Sequence, residues 1–104
     1  MRLRRDPFGD VIARQLDLFV GDEADLLEEC RDRFRAYERA PREDTEDAYG
    51  DFADVVETAT EALADMRDRF ARTLEEDAAE AYEDSFNRAV RKRWPELGLE
   101  IENR

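Results

Sequence analysis

The chain has 104 residues, which is enough for one hydrophobic core and too few for two. Histidine is absent and glycine occurs only four times, which excludes histidine-dependent triads, histidine-ligated metals and glycine-rich phosphate loops. The 29 acidic residues outweigh the 17 basic residues and give a net charge of -12, so we expect neither a nucleic-acid nor a membrane partner. The apolar residues recur at helical spacing, which predicts a folded, all-α protein despite the high charge.

The first two predicted helices are bounded by residues that commonly start and stop helices. The first helix covers about residues 7–20, with Asp6 as its N-cap and Gly21 as its stop. The second covers about residues 22–40, begins at Asp22 and ends before a proline.

The third predicted helix, about residues 45–73, carries the strongest pattern in the chain. Its apolar residues alternate at spacings of three and four over three heptads. We predict that an interface seam runs along this face, with Tyr49, Phe52, Val56, Leu63, Met66 and Phe70. The pattern shifts near Thr73, where a capping-box spacing favours a restart, and the fourth helix covers about residues 74–94. One continuous helix over residues 45–94 is the alternative.

Residues 95–104 alternate apolar and acidic side chains, which predicts either a short edge strand or a docked tail. Together, the elements predict an antiparallel bundle of three to four helices in a single domain, residues 1–104. The second helix offers only about half as many seam residues as the third, and a homodimer is one way to complete the core.

Our first functional hypothesis is therefore a non-enzymatic helical interaction or oligomerisation domain. It would bury its seam against a copy of itself or against another helical protein, and it would need no cofactor. Cys30 is the only cysteine, so no disulfide can form within the chain, and we expect a cytoplasmic protein.

Carboxylates offer an alternative chemistry, because Mg²⁺ binds well to oxygen ligands alone. Acidic residues on the second and third helices are spaced so that the two helices could share a cation, namely Glu28, Glu29, Asp32, Asp51 and Asp54. This pattern resembles the metal-binding motif of the MazG-like all-α nucleotide pyrophosphohydrolases, although that family usually has glutamate at the positions of Asp32 and Asp51. The resemblance implies a Mg²⁺-dependent pyrophosphohydrolase in which these five residues hold the metal.

The only basic cluster of the chain lies at the end of the fourth predicted helix and contains Arg88, Arg91 and Arg93. In the pyrophosphohydrolase interpretation, these arginines meet the substrate phosphates. In a third interpretation, the protein is itself an accessory or regulatory subunit, and these arginines dock it onto an acidic partner. The structural interpretation is that cations in the last turn complement the helix dipole.

Overall fold

The computed structural model describes residues 6–104, so the first five residues of the predicted domain lie outside the described part. Residues 6–104 form four α-helices and three short 3-10 turns, and they contain no strand. The helices are α1 (Gly9–Asp22), α2 (Ala24–Arg39), α3 (Thr45–Ala71) and α4 (Glu76–Arg93). The predicted all-α class is confirmed for this part of the chain.

α1 and α2 form one rod with a single break at Glu23. The Glu23 amide donates to the Phe19 carbonyl oxygen at 2.8 Å, and the Leu27 amide donates to the Glu23 carbonyl oxygen at 3.0 Å. Helical hydrogen bonding therefore continues across the break. α1 does not end at Gly21, because this glycine keeps an ordinary helical backbone instead of the left-handed conformation of a helix stop. Asp22 is accordingly the last residue of α1 rather than the cap of α2.

α2 and α3 lie side by side and run in opposite directions. The rings of Phe34 and Phe52 are 5.3 Å apart, and the Cys30 Sγ lies 3.7 Å from the Val55 carbonyl oxygen. Residue numbers thus rise along α2 as they fall along α3. A 3-10 turn, Arg42–Asp44, connects the two helices.

α3 and α4 are separate helices. The Thr73 hydroxyl donates back to the Phe70 carbonyl oxygen at 2.7 Å, and Glu75 stands at the N-cap of α4 without a side-chain capping bond. The predicted capping box is therefore not formed. The Phe70 and Tyr82 rings lie 4.7 Å apart, so α4 turns back along the second half of α3.

α4 also packs beside α1, and the two helices point the same way. Phe8 meets Tyr82 near the start of both helices, and Phe19 meets Trp94 at their ends, with ring centroids 5.5 and 6.0 Å apart. Consequently α1, α4 and the second half of α3 share one end of the molecule. At the other end α2 and the first half of α3 extend as a hairpin, and the protein measures 52 × 33 × 24 Å.

Residues 95–104 form a docked tail made of two 3-10 turns, Pro95–Leu97 and Ile101–Asn103, rather than a strand. Its alternating apolar side chains, Leu97, Leu99 and Ile101, are all buried. Gly98 takes a left-handed backbone conformation with φ of 59°, which is favourable for glycine and lets the tail turn between buried positions. We refer to residues 95–104 as the tail.

Candidate functional site

The predicted seam of α3 packs mostly within the chain itself. Leu63 is 0% exposed and Phe52 is buried, whereas Val56, Met66 and Phe70 are partly buried against the same core. Tyr49 differs from the others, because 52% of it is exposed. A seam that is already covered over most of its length leaves only its first turn open.

Three of the five predicted metal ligands lie around one shallow groove between α2 and α3. Glu29, Asp51 and Asp54 line this groove together with Arg33. The Arg33 guanidinium lies 3.7 Å from the Glu29 carboxylate and 3.9 Å from the Asp51 carboxylate. A cation of the protein itself therefore bridges two of the carboxylates.

The other two predicted ligands pair with a different arginine of α2. Arg35 lies 3.7 Å from the Glu28 carboxylate and also binds the Asp32 carboxylate. Within residues 6–104, no three acidic or cysteine side chains converge closely enough to hold a metal ion. The magnesium site therefore stays a prediction. Four of its five carboxylates pair with Arg33 or Arg35, and Asp54 is the fifth.

The three predicted phosphate-binding arginines reach different parts of the molecule. Arg91 pairs with Glu102 of the tail at 3.0 Å. Arg93 pairs with Asp17 of α1 at 2.7 Å, and Arg88 bonds within its own helix. The pKa of Glu102 is lowered, first by its own backbone amide and then by Arg91. In this arrangement, two of the arginines connect elements of the fold.

A larger groove of about 500 Å³ runs between the first half of α3 and the tail. We call it the α3–tail groove, and its lining includes Tyr49, Phe52, Ala53, Val56, Glu57 and Thr60 from α3 and Glu96, Leu97, Gly98, Glu100, Asn103 and Arg104 from the tail. Tyr49 and Leu18 are the only large hydrophobic side chains that residues 6–104 expose strongly. Tyr49 is therefore the exposed apolar feature that coincides with a concave surface.

Sequence reasoning did not identify Arg67, which is a buried charged residue of α3 and only 4% exposed. All three of its guanidinium nitrogens donate hydrogen bonds. The signal in the sequence is a second stripe beside the seam, at spacings of four, three and four, formed by Thr60, Ala64, Arg67 and Ala71. Its small residues allow close approach of the tail and α4.

Two buried reactive groups are held in neutral form. The Tyr82 hydroxyl donates to Gln15 Oε1 at 2.8 Å, and burial raises the pKa of Tyr82 to about 12. Burial, and then the nearby Glu29, raise the pKa of the Cys30 thiol. Neither group is suited to act as a nucleophile or general base near neutral pH.

The chain matches no protein-family model, no curated protein and no solved structure. None of the helices in residues 6–104 has both the length and the hydropathy required to cross a membrane. The geometry of the described surfaces is therefore the basis for a functional proposal.

Proposed function

We propose that the protein is a non-enzymatic helical interaction domain that binds an amphipathic helix of another protein in the α3–tail groove. The observation that carries this proposal is the half-exposed Tyr49 beside the nearly buried Phe52 and the partly buried Val56. An exposed aromatic side chain beside the apolar residues of a groove is a typical anchor for a bound amphipathic helix. The predicted antiparallel bundle is the scaffold that this proposal assumes.

The charge around the groove favours a basic partner helix. All 29 acidic residues fall within residues 6–104, together with 14 of the 17 basic residues, which gives a net charge of -15 there. At the groove, Glu57, Glu96 and Glu100 are exposed, whereas Arg104 lies 3.6 Å from the Glu57 carboxylate. Lysine or arginine beside the apolar stripe of the partner would complement this rim.

The same charge disfavours a second copy of this chain as the occupant. A homodimer would bring two strongly acidic surfaces together, and like charges weaken association. Most of the seam is also packed within the chain, so little of it is left for a dimer along the whole of α3. Self-association is accordingly an alternative outcome of the test.

The experiment uses three designed peptides of about 18 residues, or five helical turns. The first has a leucine stripe flanked by lysine, the second has the same stripe flanked by glutamate, and the third is a scramble of the first. We expect only the first to bind, in a calorimetric titration at an ionic strength of about 0.15 M. Equal binding of the first and third peptides would refute helix binding in the α3–tail groove, because charge alone would then explain the affinity.

Two matched variants test whether the peptide binds at the α3–tail groove. Tyr49→Asp should weaken binding of the lysine peptide by at least tenfold, or about 1.4 kcal/mol. Leu18→Asp places the same charge on the other exposed apolar residue, which lies on α1, and should leave the affinity unchanged. Equal effects of the two variants would contradict the proposal. Dimers of the wild type that dissociate in Tyr49→Asp, without peptide binding, would assign the groove to a second copy.

A further inference from the structure

The tail forms one wall of the α3–tail groove and is not a free extension. Its Leu97, Gly98 and Glu100 line the groove, while Leu99 and Ile101 are buried in the core. A wall made by residues far from α3 in sequence has to be fixed in place for the groove to keep its shape. The groove therefore depends on whatever holds the tail.

The buried side chain of Arg67 makes the hydrogen bonds that fix the tail. Its Nη1 donates to the Ile101 carbonyl oxygen at 3.1 Å, and its Nη2 donates to the main-chain oxygen of Arg104 at 3.0 Å. The same guanidinium binds α4 through Asn87 Oδ1 at 3.0 Å, while its Nε donates to Asp68 at 2.8 Å. One side chain thus joins α3, α4 and two points of the tail.

Within residues 6–104, the other polar side-chain contacts between the tail and the helices are exposed or half-exposed ion pairs. Arg91 pairs with Glu102, and Arg104 pairs with Glu57 and Glu61. Exposed pairs contribute little and are screened by salt. Arg67 is buried, so its hydrogen bonds persist at ionic strengths that weaken the others.

A guanidinium suits this task because it is planar and presents several donors in a fixed fork. It can therefore donate to the main-chain oxygens of Ile101 and Arg104, at the two ends of the last tail segment, at once. A lysine at the same position would keep the charge but would supply one flexible point of contact. Replacement by lysine consequently separates the geometry of Arg67 from its charge.

We propose that Arg67 is the positioning residue of the α3–tail groove, which it shapes by clamping the tail to α3 and α4. This inference rests on the proposed function, because it assigns to Arg67 the geometry of the same binding surface. Arg67 lines a different pocket, together with Asp68, Asn87 and Glu102, and not the groove itself. It therefore acts on a bound helix through the tail.

The test measures amide hydrogen exchange and peptide affinity in the full chain. In Arg67→Lys, exchange of the Asn103 and Arg104 amides, which bond within the tail, should accelerate at least tenfold, while amides in the middle of α3 stay protected. Affinity for the lysine-flanked peptide should fall at least tenfold. Arg69→Lys, an exposed change on the same helix, should alter neither. If Arg67→Lys does not fold, Ile101→Ala loosens the tail directly and should produce both effects.

A second control separates positioning from general stability. Tyr82→Phe removes a bond between α4 and Gln15 of α1 that involves neither Arg67 nor the tail, and it should leave both tail exchange and affinity unchanged. Loss of affinity in Tyr82→Phe equal to that in Arg67→Lys would overturn the inference, as would unchanged tail exchange in Arg67→Lys. Failure of the wild type to bind the peptide would refute the proposed function, while the exchange result alone decides whether Arg67 holds the tail.

Discussion

Replacing Leu63 by alanine tests whether the heptad stripe of α3 is a core or an interface. Leu63 is 0% exposed, whereas Tyr49 on the same stripe is 52% exposed. The change at Leu63 removes three buried carbons at about 0.8 kcal/mol each, and the cavity left behind brings the loss to about 3–5 kcal/mol. Tyr49→Ala loses mainly its ring contacts with Tyr37 and Phe52, or about 1 kcal/mol.

The measurement is urea unfolding of both variants over about a hundredfold range of protein concentration. A loss of about 3–5 kcal/mol is a large part of the roughly 5–15 kcal/mol expected for a domain of this size. The Leu63→Ala midpoint should therefore fall by more than about 1 M urea, at an unchanged slope and at every concentration. Equal losses in the two variants would contradict the burial of Leu63 in the core. A midpoint that rises with protein concentration would show that another chain completes the stripe.

Three further results are expected. Burial raises the pKa of Tyr82 to about 12 from its usual value of 10, so this tyrosine ionises first in the unfolded chain. The free energy of unfolding should therefore fall more steeply between pH 10 and about 12 in the wild type than in Tyr82→Phe, and an identical fall in both would refute this. The Cys30 thiol should react with a disulfide reagent only after unfolding in urea, since burial and Glu29 raise its pKa, and rapid reaction of the native protein would contradict the structure. Added NaCl should raise the melting temperature because it screens the repulsion among the excess acidic residues. MgCl2 at equal ionic strength should raise it no further. A rise that is specific to magnesium and is lost in Glu29→Gln would support the predicted metal site.

The helices could be predicted because their apolar residues follow the period of an α-helix. Where a helix stops proved harder to predict, as Gly21 illustrates. Glycine permits a left-handed stop but does not require one, and here Phe19 and Leu27 are both buried in the same core. Packing on both sides of Glu23 therefore outweighs the local stop signal.

The polar sites depended on contacts that the sequence encodes only in part. Arg33 stands four residues after Glu29, a spacing that favours an ion pair on a helix. The pairing that neutralises this predicted metal ligand is therefore indicated by the local sequence. The local sequence indicates the buried role of Arg67 more weakly, because its main-chain acceptors lie 34 and 37 residues further along the chain. A charge at a core position is favourable only once those partners have docked.

The hydrogen-bonded break at Glu23 limits where the chain can change in length. One inserted residue there would rotate α2 by about 100° and advance it by about 1.5 Å relative to α1. Leu27 and Cys30 would then leave the core while Phe19 stayed in it. The exposed connection Arg42–Asp44 carries no such constraint, so related chains should keep the spacing from Phe19 to Leu27 and vary in length at the hairpin turn.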